Sequence, residues 1–555
     1  MDRSKYREKC LELLETNKFT ELPTDPTAKF EKRVQTCLRK MKKRLDPMTY
    51  NTIYPTSSRP GRFYATAKRH KLEDESRDVN RLPIRPIISN IGTATYQTSK
   101  YLAKLLAPLT KSKYTIDSTK DFISFTKNLK LDQDYDMVSF DVSSLFTNVP
   151  LEFTIDLILE KVYKKKLVKT RLKREEMKEL LETCTKEMHF SFDGKIYQQT
   201  DGVCMGSPLG PVLANVFMVH LEETLAPKMI DSMPIWKRYV DDTFTAVKKG
   251  EIDDIIVKLN SFHPNIKFTH EFEAERSIAF LDVEIMRQED VTVQTGVYRK
   301  PTNSNVYIHW DSYAPEQWKV GTLLGMIRRA YEICSNEHEL TKELTLLTDV
   351  FTNINGYPKS LVERILKKVK AEKNEPVTET PSQETTDILE EETPNEQILM
   401  IKVPYAGEKG ESPIRRLKTP FKHSLPENIR CRVVQTGTKI SKNFNIKDKI
   451  DGQHLSNFIY KHVCENKKCT DSYIGETARR RIIRTEEHGG KDRDSWIYKH
   501  SSQTKHPKAK DRTFEILATN YADRRKRKLA EALFIRDERP SLNKQKDSYQ
   551  LKLFA

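Results

Sequence analysis

Residues 371–397 read AEKNEPVTETPSQETTDILEEETPNEQ, with eight Glu, one Asp, a single Lys and no aromatic residue. A stretch so poor in apolar area cannot offset the entropy of ordering its backbone, so it is expected to be a disordered linker. The 555-residue chain is therefore expected to fold as a larger module before the linker and a smaller one after it. At about 150 residues per domain, three to four folding units fit into that length. Charge follows the same division. Lys and Arg number 96 against 79 Asp and Glu, a net +17, while the linker alone carries −8. Residues 451–555 hold 24 Lys or Arg against 15 Asp or Glu, a net +9. That balance predicts a polyanionic partner. No run approaches the roughly 18 apolar residues of a spanning helix, so no membrane insertion is expected. The start, MDRSKYREKCLELLE, lacks the basic-then-apolar order of a secretion signal. Of eight cysteines only Cys464 and Cys469 are close enough in sequence to act together, as in a reducing compartment with free thiols.

The larger module mixes helical and strand periodicities. Glu175–Glu187 has helical spacing, and His189–Gln199 alternates around Asp193-Gly194, a strong two-residue hairpin signal. DMVSFDV, RYVDDTFTAV and IAFLDVEI read as strands, and Trp318–Ser335 and Glu339–Lys370 read as helices. The expected class is α+β, with a helical appendage after the sheet.

Two of those strands carry the carboxylates that matter. Asp141 ends an apolar strand, and Asp241 and Asp242 occupy a tight turn between apolar flanks. Adjacent acids repel, and a divalent cation is the natural compensation. If the strands lie side by side, Asp141 and Asp241 can hold two Mg²⁺ ions about 3.5–4 Å apart, the arrangement that stabilises attacking and leaving oxygens in phosphoryl transfer. Alone, the Asp pair reads equally as a hydrophilic hairpin tip. Its neighbours point to chemistry. Gly202–Pro211 is a Gly-rich bend opening a helix, suited to close approach by a flat ligand, and Arg85 stands between two prolines in an extended segment, suited to a triphosphate.

In that order, FYATAKRHK (63–71), LPIRPIIS, FDVSSLF, DGVCMGSPLGP, YVDD, IKFTHE, IAFLDVEI and RKPTNSNVYIHW (299–310) resemble the reverse transcriptases of Penelope-like retroelements, which are akin to telomerase. The resemblance covers residues 60–335 and implies a right-hand polymerase: fingers and palm over 60–298 and a helical thumb over 299–370, after an N-terminal helical, basic extension (1–59). It implies Asp141 and Asp241 as ligands of two Mg²⁺, with Asp242 beside them. Phe146 matches an aromatic gate against the ribose 2′-hydroxyl, although it also reads as an ordinary core Phe. Arg85 and Lys68 would hold the incoming triphosphate, Gly206, Ser207 and Pro208 would pack on the nascent base pair, and Lys267 would donate a proton to pyrophosphate.

After the linker (371–399) and a basic connector (400–450), residues 451–555 resemble the GIY-YIG nuclease family, a small α/β domain. Phe458-Ile-Tyr460 and Tyr473-Ile-Gly475 carry the two tyrosine motifs, Arg484 and His488 lie in an Arg-rich helical run, and Glu531 and Asn543 complete the order. Phe458 departs from the family's Gly. The resemblance implies Tyr460 or Tyr473 activating water, Arg484 neutralising charge, His488 orienting the water and Glu531 holding one Mg²⁺. Arg480 and Arg481 read equally as phosphate-binding surface. Cys464, Cys469, His500 and His506 fall within or close to the spacing of a structural zinc site, with free thiols as the alternative. Penelope-like elements with a nuclease carry such a set, which implies Zn²⁺.

The expected function is RNA-directed DNA synthesis coupled to DNA nicking for target-primed integration. Template RNA, primer and target DNA and deoxynucleoside triphosphates are the expected partners, and the nucleus the expected site of action. The alternative is a telomerase-like polymerase whose tail only binds DNA through zinc. The run Asp523-Arg-Arg-Lys-Arg-Lys528 reads equally as an import signal or a helix face on DNA.

Overall fold

The computed structural model describes residues 2–16, 18–67, 82–186, 188–200, 202–374, 397–407, 429–437 and 447–543. Two compact units form, and they do not follow chain order: the first gathers 1–111, 144–220 and 446–555, the second 112–143 and 221–445. No helix among the described residues is long and apolar enough to cross a membrane.

In the first unit a five-stranded sheet runs in the order Phe19–Leu22, Lys195–Gln199, His189–Phe192, Gly61–Ala67, Ile84–Ser89. Its hairpin turns at Asp193-Gly194 as the sequence predicts, both with positive φ. Phe63, Phe190 and Phe192 fill the core beneath it, joined by Cys10 and Leu14 from the first helix, Arg3–Leu14. The extension of 1–59 thus contributes more than helices, because Phe19–Leu22 is the sheet's edge strand. The same unit contains a three-stranded antiparallel sheet in which Phe458–Val463 lies between Ser472–Thr477 and Phe514–Ala518. The helix Arg524–Glu538 packs against this sheet, its first turn capped by the Asp523 carboxylate, which accepts from the Lys526 N–H at 2.9 Å.

In the second unit four antiparallel strands run in the order Ile235–Tyr239, Asp242–Lys248, Tyr135–Val142, Phe268–Phe272. A three-stranded meander follows, Ser277–Phe280, Val283–Arg287 and Val293–Val297. Phe122, Phe244 and Phe280 lock the two sheets to the helix Thr119–Thr126, with centroids 4.6–6.0 Å apart. The segment read as one strand, IAFLDVEI, is in fact a hairpin. Leu281 and Asp282 form its two-residue turn, and Asp282 accepts from Thr119 Oγ1 at 2.6 Å and Arg329 Nε at 2.7 Å.

The helices Glu316–Ile333, Glu337–Asp349 and Lys359–Asn374 form the expected appendage around Leu323, Ile327, Leu347, Phe351 and Val362. The last runs four residues into the segment read as linker, whose residues 375–396 lie outside the described residues. Gln397–Pro404, which begins inside the segment read as linker (371–399) and continues into the connector, pairs in parallel with Ile429–Thr436.

Candidate functional site

The carboxylates of the second unit sit where the sequence predicts, at one end of adjacent antiparallel strands. Phe140 pairs with Thr243, so Asp141 and Asp242 come next along their strands, and Tyr239 pairs with Asp242 across a two-residue turn of Val240 and Asp241. Val240 has φ of 59°, a left-handed conformation that a β-branched residue adopts only under constraint. The constraint is Arg238. Its NH1 donates to the Val240 carbonyl at 2.8 Å, while its Nε and NH2 pair with Glu222. Both side chains of this ion pair are fully buried. Trp236 Nε1 and Ser112 Oγ also donate to Glu222, at 3.2 and 2.9 Å, so the buried carboxylate is well satisfied.

Crowding of like charge shows in Asp242. Burial, then Asp241 and Asp141, push its pKa up to about 6, and Lys300 opposes them. Three carboxylates at one end of adjacent strands, two of them near enough for their charges to act on the third, have the chemistry of a hard-cation site. Lys267 is turned elsewhere, its Nζ directed 3.4 Å to the Asn260 carbonyl, so this geometry does not bring it to the acids. Lys300, which sequence reasoning missed, is the lysine whose charge reaches Asp242.

The first unit holds the other predicted polymerase residues in one cavity of about 580 Å³, with Arg85, Phe146, Gly206, Ser207 and Pro208 in its walls. The Gly-rich bend is fixed from both sides. Ile88 N–H donates to Met205 O and Val203 N–H to Phe146 O, each at 2.8 Å. Gly206 has φ of 124°, and a Cβ there would lie 2.2 Å from the Ile88 carbonyl, so only glycine fits this approach. Lys68 lies outside the described residues.

The tyrosine motifs of the C-terminal sheet face each other across paired strands, with Tyr460 opposite Gly475. A Cβ at Gly475 would meet Tyr460 Oη at 2.6 Å and the Tyr473 ring at 2.7 Å, so glycine permits the tyrosines to converge. Tyr460 is fully buried, its hydroxyl 2.6 Å from His488 Nε2 and accepting from Arg484 Nε at 3.0 Å. Burial and then the Arg484 charge hold the His488 pKa down to about 3. Phe458, the departure from the family pattern, is a core residue packed on Tyr460 at 5.9 Å between centroids. Glu531 accepts from the Glu476 N–H at 3.0 Å, and burial, then the Glu476 charge, raise its pKa to about 7. Asn543 is occupied with strand backbone, accepting from Ile474 N–H at 2.8 Å and donating to Ile474 O at 2.7 Å. It fastens the segment after the Arg524–Glu538 helix to the Tyr473 strand. Arg480 approaches Glu31 at 3.9 Å and Arg481 pairs with Asp511 at 2.8 Å, so both have partners within the protein.

Cys464, Cys469, His500 and His506 converge, their donor atoms all within 4.8 Å of one another. Cys464 Sγ lies 3.5 Å from His506 Nδ1, Cys469 Sγ 3.7 Å from His500 Nε2, and the two nitrogens 3.2 Å apart. With Zn–S about 2.3 Å and Zn–N about 2.0 Å, a tetrahedral ion needs roughly 3.5 Å between S and N and roughly 3.3 Å between nitrogens, so the residues fit zinc. Asp471, missed in the sequence, has Oδ2 3.5 Å from His500 Nδ1, which leaves Nε2 toward the sulfurs.

The chain contains a reverse transcriptase domain: residues 83–269 match the family described as Reverse transcriptase (RNA-dependent DNA polymerase). Residues 306–367 match a second family, Animal helix-turn-helix domain, over the three helices of the appendage. Among solved structures, telomerase from Candida albicans with a fragment of telomeric RNA is similar at 12% identity and TM-score 0.38, over 63% of this chain and 64% of that one. A Sicinivirus RNA-dependent RNA polymerase is similar at 12% identity and TM-score 0.36, over 64% of this chain and 74% of that one. The polymerase of bacteriophage phi12 is similar at 14% identity and TM-score 0.32, over 52% of this chain and 48% of that one. The chain thus spans under two thirds of the telomerase structure's length. No curated protein matches the sequence.

Proposed function

We propose that this chain is the RNA-directed DNA polymerase of a Penelope-like retroelement, joined to a C-terminal GIY-YIG endonuclease that nicks DNA and exposes the 3′-hydroxyl from which an RNA template is copied. The observation that carries the reading is the strand pair bearing Asp141, Asp241 and Asp242 inside a reverse transcriptase domain. Asp141 and Asp241 are the proposed Mg²⁺ ligands. When bound, the ions would supply positive charge for the attacking primer 3′-oxygen and the leaving pyrophosphate oxygen. Arg238 and Glu222 position the turn, Arg85 pairs with the triphosphate, Gly206 lets backbone approach the nascent base pair, and Phe146 excludes the ribose 2′-hydroxyl. The helices after Glu316 serve as the thumb.

In the C-terminal domain, Arg484 supplies the cation for developing phosphorane charge and Glu531 holds one Mg²⁺. Tyr473 is the proposed water-activating tyrosine, because Tyr460 is fully buried and engaged by Arg484 and His488. His488 acts through Tyr460, and the Cys464, Cys469, His500, His506 set holds a structural Zn²⁺. A second reading, in which the polymerase extends existing DNA ends and the tail only binds DNA, draws on the Cys/His cluster of the tail. Purified protein with Mg²⁺, RNA template and DNA primer is expected to extend the primer, and Asp241→Ala to abolish extension. Supercoiled plasmid is expected to be relaxed by the wild type and not by Glu531→Ala, which keeps extension. Extension without any nicking selects the second reading, and full extension by Asp241→Ala overturns both.

A further inference from the structure

Arg85 shares its cavity with a cation from a distant part of the chain. Lys447, at the end of the connector and just before the C-terminal domain, lines the same walls as Arg85, Phe146, Gly206 and Ser207. Its Nζ lies 4.5 Å from the centroid of the Tyr64 ring, on the strand beside Ile84–Ser89. The next residue anchors it. Asp448 Oδ2 accepts from the Asp193 N–H at 2.7 Å, in the tight turn of the five-stranded sheet, and its carbonyl accepts from Arg62 NH1 at 3.3 Å. Two bonds to Asp448 therefore fasten the chain immediately after Lys447.

The charge balance is one-sided. The charged residues lining the cavity, Arg85 and Lys447, are both cations, and Arg59 and Arg62 are close enough for their charges to act on Lys447. Burial, then these two arginines, hold the Lys447 pKa below its ordinary value, while burial, then Arg62, lowers that of Arg59 to about 10. None of these four cations forms an ion pair with a carboxylate among the described residues. Asp448 is the acid whose charge reaches Arg62, and it does not line the cavity; a lining with two cations and no acid, around Ile87, Phe146 and Pro208, suits a ligand with a polyanionic end and a flat apolar end.

We propose that Lys447 is a nucleotide-binding residue of the polymerase, contributed by the segment that leads into the C-terminal domain, where it contacts the phosphates of the incoming deoxynucleoside triphosphate together with Arg85. This rests on the polymerase reading and goes beyond it, because it makes nucleotide binding depend on the docking of the C-terminal part of the chain.

The test uses the full chain with Lys447→Met, which keeps most of the apolar stem, and Lys447→Arg, which keeps the charge. The KM for deoxynucleotide in primer extension is expected to rise about tenfold in Lys447→Met, as for loss of one charge-assisted contact, and to recover in Lys447→Arg. The KM for primer–template and the rate of plasmid nicking are expected to stay within twofold of the wild type. Equilibrium dialysis of radiolabelled dTTP against each protein gives the same ordering without requiring turnover. A wild type that extends primers while Lys447→Met keeps its KM overturns the assignment of Lys447 alone. A lower KM or faster extension in Lys447→Met also overturns it and shows the segment blocking the cavity. A wild type that binds dTTP through Lys447 but extends nothing overturns the polymerase reading and leaves standing only the nucleotide contact at Lys447.

Discussion

Replacing Arg238 with Met is expected to separate two jobs that one side chain performs. Arg238 and Glu222 are both fully buried, and the guanidinium serves the carboxylate and the Val240 carbonyl together. Arg238→Met strands the Glu222 charge with only Trp236 and Ser112 as donors, and breaking a buried pair from one side costs about 3–5 kcal/mol. It also releases the 2.8 Å bond to the Val240 carbonyl, the contact that holds this residue at φ 59° beside Asp241. A displacement of about 1 Å in a reacting group is enough for a loss of about a hundredfold in rate.

Adding Glu222→Met restores charge balance, because replacing both members of a buried pair by apolar residues is near neutral. The turn stays unanchored. Urea unfolding, with amide exchange in 235–248 to resolve this sheet, is expected to show the single variant destabilised and the double variant largely recovered. Primer extension is expected to fall about a hundredfold in both. Recovery of extension along with stability in the double variant would refute the positioning role of Arg238.

The C-terminal domain offers three further checks. Zinc bound by Cys464, Cys469, His500 and His506 predicts one equivalent of metal per chain, a thermal transition lowered by chelator, and a Cys469→Ser variant already lowered and insensitive to it. His488 is held neutral, with a folded pKa near 3 against an ordinary 6.5, so the stability it contributes is complete above pH 6.5 and drains away as pH falls toward 3. His488→Gln is expected to flatten that acid limb, by up to about 5 kcal/mol between the two ends, and an unchanged limb would show that another group titrates. Gly475→Ala is expected to abolish nicking while leaving primer extension intact, because a Cβ there falls 2.6 Å from Tyr460 Oη; plasmid relaxation at wild-type rate would contradict it.

Residues with short-range signals were legible in the sequence. The Asp193-Gly194 hairpin, the Asp141 strand and the Asp241 turn announce themselves because alternation and turn chemistry act within a few residues. The Cys/His set was half legible: its spacing is close to that of zinc ligands but fits free thiols equally, and the resemblance to Penelope-like elements is what implied zinc. What escaped depends on contacts that no local pattern encodes. Phe19–Leu22 is too short to advertise a strand and exists by pairing with Ile196–Gln199. Glu222 lies in an apolar helix 16 residues before its partner, where only burial of both charges reveals the pair. Lys447 meets Tyr64 across most of the chain, and Asp471 reads as a loop acid until His500 is seen beside it.

On the proposed function, the Asp141, Asp241, Asp242 cluster copies RNA into DNA. Single-turnover addition of one labelled deoxynucleotide to a DNA primer on an RNA template, by the wild type and by Asp241→Asn, tests it most directly. The substitution keeps the shape of the turn and removes one charge. Incorporation by the wild type, with a loss of about a thousandfold or more in the variant, is the predicted result. Equal incorporation by both proteins would contradict the account.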